Sequence, residues 1–434
     1  MVFFRICIIN EEVQINDEYG FMKEEKTIFI KTFGCQQNVA DSERLATYYE
    51  SRGYVPVTQE FEANLVVINS CMIREKAEER VYGYIRNLRK SRGVDELRIV
   101  LTGCIVGAAA REPSGKLANK LIQRIPDVEL LPIEDVGFEY EPQREQSTGG
   151  DQKKHAWVVI SNGCNNYCAF CIVPFSRGKE ISRPIGDILA EIDKLAADGY
   201  TSITLLGQNV NSYGSDLVRE QKLKNKDDGE DNEYLLPSGA SVKPVMVKHL
   251  NRHRIPTLFP YLLNEVAQVD GIDTITFTSS NPWDFSDALI DVIAQNKNID
   301  RMLHLPVQSG SDKILAAMNR WYTAAEYIAL IDRIKERISH VQFITDIIVG
   351  FPGETEKDFQ DTIALVEKVG FVRSFTACYS ERPGTSATGK MEDEISWEEK
   401  KRRFHILNEL INLRNAGVAN DKDWIATRDK HSVR

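Results

Sequence analysis

The fold of this chain is limited first by short apolar runs that alternate with amphipathic helical stretches. In the first third of the sequence, three apolar runs have the length and composition of buried strands, and charged helical stretches follow them. The runs are Ile28–Thr32, Leu65–Asn69 and Arg98–Thr102, and the helical stretches are Asp41–Arg52, Arg74–Arg92 and Lys116–Arg124. Because successive strand–helix units form parallel sheets with crossover helices, we expect a doubly wound parallel α/β domain here.

A second series of strand–helix units fills most of the remaining chain. Its six apolar runs are Trp157–Ser161, Ser202–Leu206, Thr274–Thr278, Met302–Leu305, Phe343–Val349 and Ser374–Tyr379. Six such units in succession predict a (β/α)6-type partial barrel. The fold class that we expect is therefore α/β, with a doubly wound domain followed by a parallel barrel.

Changes in composition suggest where these units begin and end. We predict an N-terminal extension (1–26), the doubly wound domain (27–140), a polar linker (141–154), the barrel (155–385) and a C-terminal helical tail (386–434). Residues 214–256, first acidic and then basic, interrupt the barrel and predict an inserted surface excursion. No apolar run reaches the roughly 18 residues of a membrane helix, and the first ten residues lack a cleavage site, so we expect a cytoplasmic protein.

Three cysteines follow the first predicted barrel strand at close spacing: Cys164, Cys168 and Cys171. Three thiolates on one loop can bind one face of a cubane iron–sulfur cluster, which leaves the fourth iron open to a small molecule. A zinc site would need a fourth Cys or His nearby, and a redox dithiol does not account for Cys164. The spacing therefore favours a cluster.

Cys35, Cys71 and Cys104 form a second set, because each lies just beyond the carboxyl end of a predicted strand. Loops at this end of neighbouring parallel strands converge, so the three cysteines could share one site. The alternative is three unrelated buried cysteines. Cys7 and Cys378 have no such partners, and we expect them to be structural.

Polar residues at other strand ends are candidates for contacts to a ligand at the barrel mouth. They are Gln208, Asn209, Ser279, Gln308, Ser309 and Asp346, and Arg320 could pair with a carboxylate. The alternative for each is helix capping or hydrogen bonding within a loop.

The net charge of −10 argues against a protein that coats nucleic acid non-specifically, but it leaves room for a local basic surface. One basic cluster comprises Arg74, Lys76, Arg80, Arg86, Arg89, Lys90, Arg92 and Arg98, and a second comprises Lys400, Lys401, Arg402 and Arg403. Both could be solvated helix faces. Since the first cluster begins beside Cys71, it is also a candidate phosphate-binding face.

Several segments carry a resemblance to a known family. The spacing Cys-x3-Cys-x2-Cys after a first barrel strand is the signature of radical S-adenosylmethionine (SAM) enzymes. The chain further resembles the radical SAM methylthiotransferases in TFGCQQNVADSERL, NSCMIREKAEERVYGYI, LTGC, GCNNYCAFCIVPFSRGKEISRP, LLGQNVNSYG, HLPVQSGSDKIL and IVGFPGET. These segments lie between about residues 27 and 410, and LGQNVNSYG is typical of the MiaB-type tRNA branch.

The resemblance implies two [4Fe–4S] clusters. Cys164, Cys168 and Cys171 would hold the cluster that binds SAM, and Cys35, Cys71 and Cys104 an auxiliary cluster that carries the transferred sulfur. The implied reaction adds a methylthio group to C2 of an N6-isopentenylated adenosine next to the anticodon. The implied partners are tRNA, through its anticodon loop, an electron donor such as flavodoxin or ferredoxin, and a sulfur donor.

Other interpretations of the same motifs stay open at this point. The substrate could be a threonylcarbamoyl-adenosine tRNA or a ribosomal protein, or the chain could be a non-catalytic iron–sulfur electron-transfer or tRNA-binding protein. Family members normally end in a TRAM β-domain. Residues Asn420–Arg434 look too short and too polar for one, so we expect that domain to be absent.

Overall fold

The structure, a computed structural model, describes residues 25–415 except 73–74, 94–95, 113, 141, 143–153, 226–232 and 249–253. Four predictions therefore fall wholly or mostly outside the described residues: the N-terminal extension, the linker, Cys7 and the segment Asn420–Arg434. Among the described residues, no helix is long and apolar enough to span a membrane.

A five-stranded parallel sheet with helices on both faces forms the first domain. Its elements are β1 (Thr27–Thr32), α1 (Gln36–Glu50), β2 (Val55–Pro56), β3 (Leu65–Ser70), α2 (Glu75–Ser91), β4 (Arg98–Gly103), α3 (Cys104–Arg111), α4 (Lys116–Arg124) and β5 (Glu129–Leu131). Short 3-10 helices cover Glu60–Glu62 and Ile133–Val136. The strand order is β2-β1-β3-β4-β5, so the direction of winding reverses between β1 and β3. The predicted doubly wound domain is confirmed.

The central strand β3 shows why this sheet forms. All of its residues are buried, as expected for a parallel strand with helices over both faces. Successive side chains point to opposite faces, so Val66 and Ile68 pack with Val81 of α2, whereas Leu65 and Val67 pack with Leu45 of α1.

Six parallel strands in two three-stranded sheets form the second domain. Its main elements are β6 (Lys154–Val159), β7 (Ser161–Asn162), α5 (Val173–Ser176), β8 (Ile181–Ser182), α6 (Ile185–Ala197), β9 (Tyr200–Leu206), α7 (Ser215–Asn225), β10 (Tyr234–Leu235), β11 (Ser241–Val242), β12 (Val245–Lys248), β13 (Arg254–Thr257), α8 (Phe259–Ala267), β14 (Thr274–Phe277), α9 (Asp287–Gln295), β15 (Met302–His304), α10 (Asp312–Ala317), α11 (Ala324–Arg337), β16 (Gln342–Val349), α12 (Glu356–Val369) and β17 (Arg373–Cys378). Short 3-10 helices cover Val210–Ser212 and Pro282–Asp284.

The six main strands follow one another around a partial barrel in the order β6, β9, β14, β15, β16 and β17. An isolated parallel bridge pairs Ile275 of β14 with Ile299, which lies just before β15, and so continues the order from one three-stranded sheet to the other. Within the described residues, β6 and β17 do not pair with each other. This arrangement confirms the predicted (β/α)6-type partial barrel.

The excursion at 214–256 is more ordered than its polar composition predicts. It contains α7 and two antiparallel hairpins, β10–β11 and β12–β13. Val218, Leu236 and Val247 are buried, and the first two belong to the barrel core. These isolated apolar residues lie among many charged ones, which is why no periodic pattern revealed them.

The C-terminal tail contains helix α13 (Trp397–Leu407), which continues as a π-helix over Asn408–Leu413. It packs against β17, and Leu407 and Ile411 join the barrel core. The alternative of a solvated basic cluster holds for Lys401 and Arg402, which are exposed, and is wrong for the other two residues. Arg403 is buried and donates to Glu354 at 2.7 Å, and Lys400 is buried and bonds to Asp393 at 2.5 Å.

Candidate functional site

The three N-terminal cysteines lie on adjacent loops of the first sheet. Cys35 precedes α1, Cys71 follows β3, and Cys104 begins α3. Since β1, β3 and β4 are parallel neighbours, these loops meet at the carboxyl edge. The Cys71 thiol hydrogen-bonds Cys104, and the guanidinium of Arg177 interacts electrostatically with Cys104 and Cys35. The loops that carry the three cysteines thus meet at one edge of the sheet, and a shared site there stays a prediction.

Buried polar side chains tie these loops to one another. Asn38 of α1 donates from Nδ2 to Asn69 Oδ1 at 3.0 Å and to the Ser70 carbonyl at 3.1 Å. Asn69 Nδ2 donates in return to the Asn38 carbonyl at 2.8 Å, and the Ser70 hydroxyl donates to the Thr102 carbonyl at 2.5 Å. Gly103 has φ +84°, and a Cβ there would lie 2.4 Å from the Ser70 carbonyl oxygen. The edge is therefore held rigidly.

This environment favours the ionised form of the Cys104 thiol. The hydrogen bond from Cys71 lowers the pKa of Cys104 to about 6; burial opposes that effect, and the positive charge of Arg177 adds to it. The thiolate is the form that binds iron. Nothing in the cysteine spacing pointed to Arg177, which lies far away in the sequence.

The barrel cysteines lie on the loop that follows β7. Gly163 precedes them with φ +83°, a conformation that favours glycine. The Cys171 amide donates to the Cys168 carbonyl at 3.0 Å and forms a tight turn. Arg320 Nη1 donates to the Cys168 sulfur at 3.3 Å, and the Asn166 amide donates to the Cys164 sulfur at 3.4 Å.

Burial disfavours thiolates in this second set. It raises the pKa of Cys164 well above the usual value and raises that of Cys171 to about 12, with the neighbouring cysteine charges adding to both shifts. Such thiols ionise readily only beside a bound cation.

The donor sets fit iron–sulfur clusters better than single ions. Among the described residues, no group of three or more Cys, His, Asp or Glu side chains surrounds a single metal ion. Cluster ligands need no such arrangement, because each cysteine of a cubane binds a different iron. Two sets of three soft thiol donors, each beside a buried arginine, have the chemistry that this group requires.

Gln208 connects the two domains. Its Oε1 accepts from the Gly163 amide at 2.5 Å, and its Nε2 donates to Gln37 Oε1 of α1 at 3.1 Å. The predicted strand-end residue therefore lies between the barrel loop and the N-terminal domain.

Two further predicted residues share a buried histidine. The backbone N–H of Ser279, which has φ +67°, donates to His304 Nδ1 at 3.1 Å. His304 Nε2 then donates to Asp346 Oδ2 at 2.5 Å. Gln308 also has a positive φ of +71°, and its backbone pairs with the Asp346 carbonyl and with Ile348. Residues other than glycine with positive φ are uncommon, and they occur preferentially at active sites and ligand-binding sites.

Ser309 makes hydrogen bonds within its loop and to a helix. Its hydroxyl lies 3.3 Å from Thr362 Oγ1 of α12 and accepts from the Ser311 amide at 3.2 Å. Because the side chain bonds to the outer helix layer, the alternative of a hydrogen bond within the loop applies to it.

Arg320 is buried and lies beside the barrel cysteines. It donates to Asn281 Oδ1 at 3.0 Å and to the Pro306 carbonyl at 3.1 Å, in addition to Cys168. Its guanidinium also stacks 4.5 Å from the centre of the Trp283 ring.

A chain of buried polar groups extends from Asn209 and was not predicted in full. Asn209 Nδ2 donates to Ser212 Oγ at 2.9 Å and to Asp284 Oδ2 at 3.0 Å, and Ser212 Oγ donates to Glu180 Oε2 at 2.7 Å. Burial raises the pKa of Glu180 to about 8 and that of Asp284 to about 7. The oxygens Asn209 Oδ1, Asp284 Oδ1 and Ser280 Oγ are buried without a partner. Such unsatisfied groups are typical of a pocket that receives a polar ligand.

The first basic cluster is only partly available to RNA. Arg89 bonds to Asp127, and Arg98 pairs with both carboxylate oxygens of Glu129 at 3.0 Å. Arg80 and Arg86 are exposed on α2. Arg74 lies outside the described residues. A phosphate-binding face formed by this cluster would therefore lie on the exposed side of α2, and both this role and the alternative of a solvated helix face stay predictions.

Comparison with known proteins agrees with this geometry. Residues 158–366 match the Radical SAM superfamily, and residues 27–123 match the uncharacterized protein family UPF0004. A tRNA-2-methylthio-N(6)-dimethylallyladenosine synthase of Carboxydothermus hydrogenoformans is 41% identical over 90% of this chain and 84% of its own length. The chain belongs to this family. The resemblance inferred from the motifs is thereby confirmed, and so is the prediction of a radical SAM methylthiotransferase enzyme.

A second family member, from Staphylococcus aureus strain MRSA252, is 38% identical over 93% of this chain and 74% of its own. The two family matches divide the cysteines: Cys35, Cys71 and Cys104 fall in the first, and Cys164, Cys168 and Cys171 in the second. Among solved structures, the radical SAM methyltransferase TsrM from Kitasatospora setae, with bound cobalamin and a [4Fe–4S] cluster, is 13% identical. Its TM-score is 0.49, over 82% of this chain and 75% of that one.

Proposed function

We propose that this enzyme adds a methylthio group to C2 of an N6-isopentenylated adenosine next to the anticodon of tRNA, with two [4Fe–4S] clusters and SAM as cofactors. Two separate three-cysteine sets at the junction of two domains support the proposal most directly. An electron carrier normally gives each cluster four protein ligands, whereas three leave one iron open for chemistry.

Cys164, Cys168 and Cys171 would hold the cluster that binds SAM. When bound, that cluster and SAM supply a one-electron cleavage whose radical product removes hydrogen from C2 of the adenine. Arg320 would hold the Cys168 thiolate in place through its 3.3 Å hydrogen bond. The buried carboxyls of Glu180 and Asp284 suit a cationic group such as the ammonium of SAM, because a cation would restore their ionised forms. Asn209, Ser279, Gln308 and Asp346 would orient the rest of the molecule.

Cys35, Cys71 and Cys104 would hold the auxiliary cluster, which supplies the sulfur. The asparagine network between the three loops fixes the cysteine backbones, and the hydrogen bond between Gln37 and Gln208 joins the two domains between the two sets. Three thiolates again fit a [4Fe–4S] cluster whose fourth iron has no protein ligand.

The anticodon loop can present its base already splayed from the stack, as a buried site requires. Arg80 and Arg86 on α2 would contact backbone phosphates. The enzyme would work in the cytoplasm with an electron donor such as flavodoxin or ferredoxin and with a separate sulfur donor.

The test is a reaction of the purified chain, reconstituted anaerobically with iron and sulfide, with SAM, dithionite and tRNA. We expect mass spectrometry of the digested nucleosides to show the methylthio product on isopentenylated tRNA. Parallel reactions contain tRNA with threonylcarbamoyl-adenosine and tRNA with unmodified adenosine. Product on either of these, and none on the isopentenylated tRNA, would overturn the substrate assignment. A Cys35→Ala chain serves as the matched control.

A further inference from the structure

A buried arginine of the barrel domain reaches into the N-terminal cysteine site. Arg177 follows α5, and its side chain is 3% exposed. It donates to Asp41 Oδ2 of α1 at 2.7 Å and to Asn162 Oδ1 at 3.0 Å. Asp41 is fully buried and also accepts from Arg44 at 2.8 Å. The ion pair between Arg177 and Asp41 is therefore a buried contact between the two domains.

The same guanidinium faces the N-terminal cysteines. Its positive charge interacts electrostatically with Cys104 and Cys35. The barrel domain thus contributes a positive charge beside thiols that belong to the other domain.

Close packing of backbones keeps Arg177 at this position. A Cβ at Gly107 of α3 would lie 1.9 Å from the Ser176 carbonyl oxygen of α5, so the two helices approach without intervening side chains. Arg111 Nη1 donates to that carbonyl at 3.2 Å, and Ile172 joins the core of the N-terminal domain. Residues of both domains therefore pack around Arg177 and hold it in place.

We propose that Arg177 is a positioning residue for the sulfur-donating site, and that it raises the reduction potential of the cluster held by Cys35, Cys71 and Cys104. This inference rests on the proposed function. Hydrogen bonds and positive charge at cluster sulfurs stabilise the reduced state, which carries one more negative charge. The barrel domain would in this way tune a cluster that its own cysteines do not hold.

The experiment uses the full-length chain with Cys164, Cys168 and Cys171 all changed to Ala, so that only the N-terminal cluster remains. In this parent we compare Arg177→Met, which removes the charge, with Arg177→Lys, which keeps the charge without the planar fork. Arg44→Met is the matched control, because Arg44 also pairs with Asp41 but donates to the Gly137 carbonyl instead of a cysteine. The measurements are iron content and a dithionite titration followed by electron paramagnetic resonance.

We expect the midpoint potential to be highest in the parent, lower in Arg177→Lys and lowest in Arg177→Met, while Arg44→Met matches the parent. Equal midpoints in Arg177→Met and the parent, or an equal decrease in Arg44→Met, would overturn the inference. If Arg177→Met does not fold, Arg177→Gln, which also removes the charge but keeps a hydrogen-bond donor, replaces it: an unchanged midpoint overturns the inference, and a lowered one supports it. A parent that binds no iron would instead overturn the proposed function.

Discussion

The two cysteine sets differ in what stabilises their thiolates. In the N-terminal set, the Cys71 hydrogen bond lowers the pKa of Cys104 to about 6, and Arg177 adds a buried positive charge. In the barrel set, burial raises the pKa of Cys171 to about 12 and raises that of Cys164 well above its usual value. The protein therefore favours the thiolate of Cys104 before a metal binds, whereas Cys164 and Cys171 need the charge of the metal itself.

This difference matches the two roles that we propose. A sulfur-carrying cluster must be held in one arrangement through the transfer, and the asparagine network and the interdomain arginine provide that rigidity. The SAM-binding cluster that we propose would instead lie beside buried carboxyls and unsatisfied oxygens, which could bind a polar ligand. Four experiments test how the two cysteine sets and their surroundings differ.

The largest effect is expected from removing the barrel set. With Cys164, Cys168 and Cys171 all changed to Ala, the iron content should fall from about eight to about four per chain, because one of two cubane clusters is lost. Reductive cleavage of SAM to 5′-deoxyadenosine should stop. Iron analysis and chromatography measure the two quantities. Unchanged iron content would contradict the assignment of a cluster to these cysteines.

Cys35→Ala should separate the two activities. The barrel set is intact in this variant, so SAM should still be cleaved to 5′-deoxyadenosine at a rate close to that of the wild type. No methylthio nucleoside should form, because the sulfur-carrying site has lost a ligand. Nucleoside mass spectrometry decides the point, with Cys378→Ala as the control cysteine. Full methylthiolation by Cys35→Ala would show that the N-terminal cysteines are only structural.

Rigidity of the N-terminal edge can be tested with two glycines of similar backbone conformation. A Cβ at Gly103 (φ +84°) would lie 2.4 Å from the Ser70 carbonyl oxygen, whereas a Cβ at Gly53 (φ +81°) would meet nothing within 4 Å. Gly103→Ala should lower the free energy of unfolding by about 1–3 kcal/mol more than Gly53→Ala, since only the former adds steric overlap to backbone strain. Urea denaturation of both variants measures this difference. Equal losses would mean that the edge can relax.

The buried carboxyls of the barrel predict a dependence of stability on pH. Burial raises the pKa of Asp284 to about 7, so in the folded chain this group holds its proton longer than in the unfolded chain. Its contribution to stability is full below about pH 4 and is lost as the pH rises through about 7. Asp284→Asn should therefore match the wild type near pH 4 and be more stable near pH 8, by on the order of 2 kcal/mol. Denaturation of the metal-free chains at both pH values tests this, and a constant difference would contradict it.

Most regular elements were predictable because their signals are local. The predicted strand Leu65–Asn69 is one residue shorter than β3, and the predicted helix Lys116–Arg124 coincides with α4. The hairpins of the excursion were missed, because their few buried residues lie within charged sequence. Lys400 and Arg403 were wrongly predicted to be solvated. Lys400 also donates to the Tyr379 carbonyl and Arg403 to Glu354, partners 21 and 49 residues away that only folding brings close.

Strand periodicity and the placement of cysteines after strands follow from the sequence, because both depend on neighbours within a few residues along the chain. The positive charge beside the N-terminal cysteines does not follow from the sequence. Arg177 and Asp41 are 136 residues apart and belong to different domains, yet they form one buried ion pair. Ser309 and Asn209 both follow strands, but one bonds to an outer helix and the other to a buried carboxyl. Which partner a polar side chain meets depends on the packing of distant elements, and that is established only in the folded chain.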